Sequence, residues 1–132
     1  MQIDIYTDCS IREFNLGLGI IVLSEGKVTN KLTYSLKNII KFTSHEGEII
    51  AILYALNLIN FKIDSLTIHT ENQAFLNYIV GINKHIPFEN MFKTYLNNCK
   101  KYCKEINFIY VKAHSGDPYN TIADQMADKG SI

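Results

Sequence analysis

The chain has 132 residues, 13 basic and 13 acidic residues that give zero formal net charge, and 47% hydrophobic residues. A chain near this length buries about two thirds of the surface that its unfolded form exposes, so we predict one domain over residues 1–132. No apolar run reaches about 18 residues, and acidic Asp4 stands where a signal peptide needs a basic start. We therefore expect a soluble, monomeric, cytoplasmic protein with no membrane partner. Its three cysteines lack zinc-type spacing, which agrees with reduced thiols.

The first part of the chain predicts three strands and a helix. Residues 2–9 alternate between apolar and polar, residues 17–24 form a second apolar strand, and the turn Glu25-Gly26-Lys27 leads to a third strand at 28–36. Together they predict an antiparallel meander. Thr43-Ser44 is then an N-cap signal for a helix of about 45–60.

The second part predicts alternating strands and helices. They are a strand at 63–70, a short helix at 72–80, a helix from 88 to about 104, a strand at 106–111, and a helix from Pro118 to about 129 that ends at Gly130. Cys99 and Cys103 are one helical turn apart, so we predict a buried or edge pair on the third helix. The order of elements predicts an α/β fold with a five-stranded mixed sheet, an antiparallel meander plus parallel strands, flanked by helices.

Four carboxylates stand at the ends of predicted elements. Asp8 closes the first strand, Glu48 is placed in the first turn of the first long helix, Glu71 ends a later strand, and Asp124 lies one helical turn after Asn120. Any one of these acids alone is typical of a solvated surface, but the four together favour a convergent site. Without bound cations they would repel one another and raise at least one pKa. The group therefore indicates a cation site.

The sequence around these acids resembles type 1 ribonuclease H over nearly the whole chain, which implies the ribonuclease H-like fold. The motifs that carry the resemblance are Thr7-Asp8-Cys9-Ser10, Glu48 before Ala51 and Ala55-Leu56, Thr70-Glu71-Asn72, and His114-Ser115-Gly116 with Asn120 and Asp124. Two positions depart from the family pattern. Cys9 stands where glycine is usual, and Glu71 stands where aspartate is usual.

The resemblance implies a metal-dependent endoribonuclease. Such an enzyme hydrolyses the RNA strand of an RNA/DNA hybrid to 5′-phosphate and 3′-hydroxyl ends by a two-metal mechanism. The implied cofactor is Mg²⁺, with Mn²⁺ as the alternative and as the preferred ion if the longer Glu71 disturbs the octahedral magnesium geometry. The implied metal ligands and catalytic groups are Asp8, Glu48, Glu71 and Asp124. His114 is implied as a further catalytic residue that carries protons or helps product to leave.

The same resemblance implies a set of contacts to the hybrid. The implied substrate-binding residues are Cys9, Ser10, Thr43, Ser44, His45, Asn72, Gln73 and Asn120. Ser44 stands where asparagine is usual, and His45 could cap its helix instead. Lysines cluster late in the chain, on a helix face that is either solvated or substrate-binding.

Two other functions stay open at the level of sequence. The first is a catalytically degenerate ribonuclease H-like module that binds nucleic acid without cutting, which Cys9, Ser44 and Glu71 favour. The second is another nuclease of the superfamily such as a junction resolvase, which the late His-x-Gly segment disfavours. A metal-binding titration would separate the enzyme from the degenerate module.

Overall fold

The fold is a five-stranded mixed sheet with helices on both faces, as predicted. The computed structural model describes residues 1–38, 40–113 and 116–132. In chain order its elements are β1 (Gln2–Arg12), β2 (Asn15–Ser24), β3 (Lys27–Lys37), α1 (Ser44–Asn57), β4 (Ile63–Thr70), α2 (Gln73–Ile79), α3 (Glu89–Lys100), β5 (Cys103–Tyr110) and α4 (Pro118–Ser131). The strand order is β3-β2-β1-β4-β5. The β1–β2 and β2–β3 pairs are antiparallel, and the β1–β4 and β4–β5 pairs are parallel.

Neighbouring residues of β1 belong to different cores on the two faces of the sheet. Ile5 packs with Ile49 and Ile52 of α1 in the larger core, whereas Tyr6 packs with Ala123 of α4 in a smaller one. This follows from the alternation of side chains along a strand. Each fully buried isoleucine stabilises the fold by about 1.5–3 kcal/mol relative to its exposed state. The alternation therefore places α1 and α4 on opposite faces of β1.

Glycines let α4 approach β2 at backbone contact distance. A Cβ atom added at Gly19 would lie 1.9 Å from the carbonyl oxygen of Ala123, and one added at Gly17 would lie 2.0 Å from that of Ala127. Gly130 is similarly close to β3, so it lies inside α4 and packs there rather than ending the helix as predicted. The small residues on both sides fix where α4 sits.

Some element boundaries differ from the predicted ones. β1 continues to Arg12 because it stays paired with β2, so Asp8 lies inside the strand rather than at its end. α1 ends at Asn57 rather than near residue 60. α3 begins at Glu89, one residue after the predicted start at 88, and Phe88 before it has a left-handed conformation. None of the described helices is both long and apolar enough to cross a membrane.

The cysteine pair is confirmed, but its place on one helix is wrong. The Sγ atoms of Cys99 and Cys103 lie 3.7 Å apart, and both residues are buried. α3 ends at Lys100, and Cys103 pairs with Ile63 of β4 as the first residue of β5. Pairing with a buried strand therefore outweighs continuation of the helix to residue 104.

Candidate active site

Asp8 lies in β1 where the neighbouring strand β4 has just ended. The last parallel pair is Tyr6 with His69, and extending that register by two residues places Asp8 level with Glu71. Asp8 is 7% exposed, and its Oδ1 accepts a hydrogen bond of 2.8 Å from the backbone N–H of Cys9. Two carboxylates from adjacent strands therefore meet at the carboxyl end of the parallel pair.

A capping box fixes the start of α1 and with it the position of Glu48. The Thr43 hydroxyl accepts from the Glu46 N–H at 3.1 Å, and the Glu46 carboxylate accepts from the Thr43 N–H at 2.9 Å. Thr43 is therefore the N-cap, as predicted, and Glu46 is the acid of the first turn. Counting from this cap places Glu48 in the second turn, which corrects the predicted first-turn position. The Thr43 side chain is already occupied by the cap.

Cys9 and Gly47 fit together between β1 and α1. The Cys9 thiol lies 3.7 Å from the Ser44 carbonyl oxygen, and a Cβ atom added at Gly47 would lie 2.9 Å from the Cys9 Sγ. The absent side chain at residue 47 thus makes room for the cysteine that replaces the family glycine. This contact holds the start of α1 against β1 next to Asp8, where burial and then the charge of Glu48 raise the pKa of the Cys9 thiol.

α4 contributes the Asp124 carboxylate, the Asn120 amide and the Thr121 hydroxyl to the cavity beside Glu71. Asn120 is 5% exposed, and its Nδ2 donates to Glu71 Oε1 at 3.2 Å. A cavity of ≈ 50 Å³ is lined by Glu71, Asn120, Thr121 and Asp124. Thr121 was missed from the sequence, although its position between Asn120 and Asp124 on one helical face is the signal that would have found it.

The close contact of α4 with β2 explains why Asp124 is near Asp8. Gly19 is the β2 partner of Asp8, and the Ala123 carbonyl lies directly against Gly19. Asp124 is the next residue of α4. A small-residue contact therefore positions one carboxylate of the group relative to another.

Burial and like charges raise the pKa of two of these carboxyls. Desolvation, the charges of Glu71 and Asp124, and a hydrogen bond with Glu71 raise the pKa of Asp8 from 3.8 to about 8, against the lowering effect of the Cys9 N–H. Desolvation and then the charge of Glu71 raise the pKa of Glu48 from 4.5 to about 7. Burial also raises the pKa of the Cys9 thiol, so Cys9 is not a reactive thiolate.

The donor set of this site fits a hard divalent cation. All four carboxylates offer oxygen, and Asp8 is buried with no cationic partner among the described residues. Within the described ranges, no three or more His, Cys, Asp or Glu side chains are already gathered in metal-ligand geometry. Burial and, after it, the charge of Glu71 instead raise the pKa of Asp8 and that of Glu48, so these acids lie close enough to repel one another.

Four larger clefts lined by described residues lie away from these acids. A cleft of ≈ 450 Å³ between α1 and α3 is mainly apolar and is lined by residues that include Leu53, Tyr54 and Tyr95. It contains none of the four carboxylates. Electrostatics, rather than cavity size, therefore identifies the candidate site.

The predicted substrate contacts are distributed around the acids. Asn72 Nδ2 lies 2.7 Å from His45 Nδ1, so these two residues meet between α1 and α2. Gln73 is exposed and donates to Asn77 at 3.2 Å, while Ser10 lies half-buried in β1. His114 and its neighbour Ser115 lie outside the described residues. The roles of all these residues stay predictions.

Solved structures of ribonucleases H share this fold. RNase H1 from the archaeon Halobacterium salinarum NRC-1 is 13% identical, with a TM-score of 0.68 and coverage of 98% of this chain and 99% of that chain. LC11-RNase H1 in complex with an RNA/DNA hybrid is 14% identical, with a TM-score of 0.68 and coverage of 96% and 97%. The N-terminal RNase H domain of a Mycobacterium tuberculosis protein is 15% identical, with a TM-score of 0.72 and full coverage of both chains.

The family comparison extends over the entire sequence. A comparison with curated protein sequences gives no match. The family model described as RNase H matches residues 1–132. Because the match spans the whole chain, the chain belongs to the RNase H family.

Proposed function

We propose that this protein is a metal-dependent endoribonuclease that cuts the RNA strand of RNA/DNA hybrids and leaves 5′-phosphate and 3′-hydroxyl ends. The observation that carries the proposal is the buried Asp8, whose pKa is raised by burial and by Glu71 and Asp124. Such a carboxyl is costly to ionise unless a cation binds. Membership of the RNase H family and the fold shared with a hybrid-bound RNase H1 support the substrate.

The proposed ligands of two divalent cations are Asp8, Glu48, Glu71 and Asp124, and the proposed ion is Mg²⁺ with Mn²⁺ as the alternative. When bound, these cations would neutralise charge on the attacked phosphate and on the entering and leaving oxygens. The chain itself orients the ligands. The Cys9 N–H holds one oxygen of Asp8, and the Asn120 amide holds one oxygen of Glu71.

Two further elements complete the proposal. His114 would carry a proton at the leaving 3′ oxygen or assist release of product, a role that suits an imidazole near neutral pH. Recognition of the hybrid would depend on its shape and on the 2′-hydroxyls that the minor groove displays, with little sequence preference.

The test is a gel assay with end-labelled RNA/DNA hybrid, duplex RNA and duplex DNA, each with and without Mg²⁺. We expect cleavage of the RNA strand of the hybrid alone, only with metal, and products with 3′-hydroxyl ends. Binding of the hybrid without cleavage in either Mg²⁺ or Mn²⁺ would instead indicate the degenerate binding module. Cleavage of duplex DNA would contradict the proposed substrate.

A further inference from the structure

A buried amide joins α1 to α2 beside the carboxylates. Asn72 is 4% exposed, and its Nδ2 lies 2.7 Å from Nδ1 of His45. Its Oδ1 accepts from the backbone N–H of Phe75 at 2.9 Å and so caps α2. A backbone N–H can only donate, so the side-chain atom facing Phe75 has to be the oxygen. The atom facing His45 is therefore the NH₂ group.

This amide orientation determines where His45 carries its proton. An NH₂ group donates and does not accept, so Nδ1 of His45 must present its lone pair. The neutral ring then carries its proton on Nε2. Among the described residues, no atom forms a hydrogen bond with Nε2 of His45. Every buried side-chain nitrogen and oxygen of those residues does have a partner, so Nε2 is not a buried atom. The Nε2–H group therefore faces solvent.

The donor lies at the rim of the candidate site. His45 precedes Glu48 by three residues on α1, and Asn72 directly follows Glu71. The His45 side chain is half-buried, so its ring is held while one nitrogen remains accessible. A fixed, outward-facing N–H next to the proposed reaction centre is suited to a hydrogen-bond acceptor of the bound substrate.

We propose that Asn72 fixes His45 as the Nε2–H tautomer, and that this N–H donates to an acceptor oxygen of the hybrid, either a ribose 2′ oxygen or a phosphate oxygen. The identity of the ligand rests on the proposed function, whereas the tautomer does not. In this account His45 contacts the substrate. Asn72 is a positioning residue that acts through His45, and its side chain is already engaged at both ends.

Nitrogen-15 NMR of the free protein tests the tautomer without any substrate. At a pH where the ring is neutral, we expect the His45 proton on Nε2 in the wild type. Asn72→Asp keeps a good N-cap for Phe75 but offers His45 only acceptor oxygens, so the proton should move to Nδ1. Free histidine itself favours the Nε2–H form, which makes this reversal the decisive result. A wild-type proton on Nδ1, or no change in Asn72→Asp, would overturn the proposal.

Kinetics with the hybrid test whether the donor is used. His45→Gln can accept from Asn72 through Oε1 and donate outward through Nε2, so its KM should stay within about threefold of the wild type. His45→Phe should raise KM by about tenfold, the effect of one lost hydrogen bond, with little change in kcat. Asn72→Asp should raise KM as well. His85→Phe is the matched control, because the His85 side chain is 83% exposed and lies in the loop before α3, whereas His45 lies in α1. An unchanged KM in His45→Phe would overturn the proposed contact.

Binding to modified strands, measured with a metal chelator present, identifies the acceptor. If it is a ribose 2′ oxygen, the affinity difference between wild type and His45→Phe should vanish on a 2′-deoxy strand. If it is a phosphate oxygen, the difference should vanish on a methylphosphonate strand. A difference that persists on both strands would overturn this choice of acceptor. If no hybrid is cleaved at all, the proposed function fails, while the NMR result still decides the tautomer.

Discussion

Opposite ends of the parallel strands carry aspartates in opposite environments. Asp8 lies buried at the carboxyl end beside other acids, and its pKa is raised. Asp64 lies at the start of β4 with its side chain 63% exposed, and hydrogen bonds with the Met1 amino group and with Lys104 lower its pKa. A carboxylate therefore indicates a cation site when it is buried from water and no lysine, arginine or amino group of the described protein pairs with it.

The largest expected effect is the loss of cleavage in Asp8→Asn. This change removes a proposed metal ligand, so we expect hybrid cleavage to fall by on the order of 10³-fold or more while the fold is kept. The matched variant Asp64→Asn should retain wild-type cleavage, because Asp64 lies at the other end of the sheet. Steady-state rates for both variants, with circular dichroism as the folding control, make the test. Equal losses of cleavage in Asp8→Asn and Asp64→Asn would contradict the placement of the active site at the carboxyl end of the parallel strands.

A smaller effect is expected from replacing Gly19, the β2 glycine that lets α4 approach the sheet near the four acids. A methyl group in Gly19→Ala would lie 1.9 Å from a backbone oxygen and has to push α4 away, with a cost of about 1–3 kcal/mol in unfolding free energy. Displacing Asp124 should lower cleavage by about tenfold or more, since 1 Å errors in a site are costly. Gly81→Ala is the control, because Gly81 has a positive φ of 87° and no atom of the described residues within 4 Å of an added Cβ, so the variant should lose about 1 kcal/mol of stability without moving α4. Similar losses of activity in both would contradict the positioning role of Gly19.

Sequence patterns predicted the order of elements, because hydrophobic periodicity and cap signals are local. The pairing partners of a strand are not local. For that reason the continuation of β1 to Arg12 and the start of β5 at Cys103 were not predicted. Both depend on ladders with distant strands, β2 and β4 respectively.

The motifs named the four candidate acids but not the contacts that position them. Asp8, Glu48, Glu71 and Asp124 were identified from motifs. The hydrogen bond from Asn72 to His45 joins residues 27 positions apart, and the fit of Cys9 against Gly47 depends on how α1 lies on β1. Such contacts follow from tertiary packing, which no short pattern in the sequence contains.

The next effect concerns the metal preference set by Glu71. Its side chain is one methylene longer than aspartate, and Mg²⁺ demands more regular, shorter bonds than Mn²⁺ does. We expect the wild type to favour Mn²⁺, and Glu71→Asp to raise Mg²⁺-supported cleavage relative to Mn²⁺ by several-fold. Glu71→Gln should depress cleavage in both metals. Rates for the three proteins in two metals test this, and wild-type cleavage by Glu71→Gln would show that Glu71 is not a ligand.

The contributions of Asp8 and Asp64 to the unfolding free energy should also change with pH in opposite directions. Asp8 has a raised pKa, so the native metal-free protein holds a proton that the unfolded chain has lost between about pH 4 and pH 8. Unfolding free energy should therefore fall as pH rises through this window, by up to about 1.4 kcal/mol per pH unit for one proton. Asp64 has a lowered pKa, so its contribution to stability grows as pH rises through the acidic range below its ordinary pKa. Denaturant unfolding of wild type and Asp8→Asn should show a shallower fall in the variant, and equal slopes would contradict the assignment.

The most direct measurement is calorimetric titration of the protein with Mg²⁺ or Mn²⁺ near pH 7 in buffers of different ionisation enthalpy. Because burial and neighbouring acids raise the pKa of Asp8 to about 8 and that of Glu48 to about 7, cation binding must displace protons from the site. We predict that the wild type binds the metal and releases protons, whereas Asp8→Asn binds weakly and releases fewer. Metal binding without proton release, or equal release by Asp8→Asn, would contradict the account of a protonated carboxylate group that serves as a cation site.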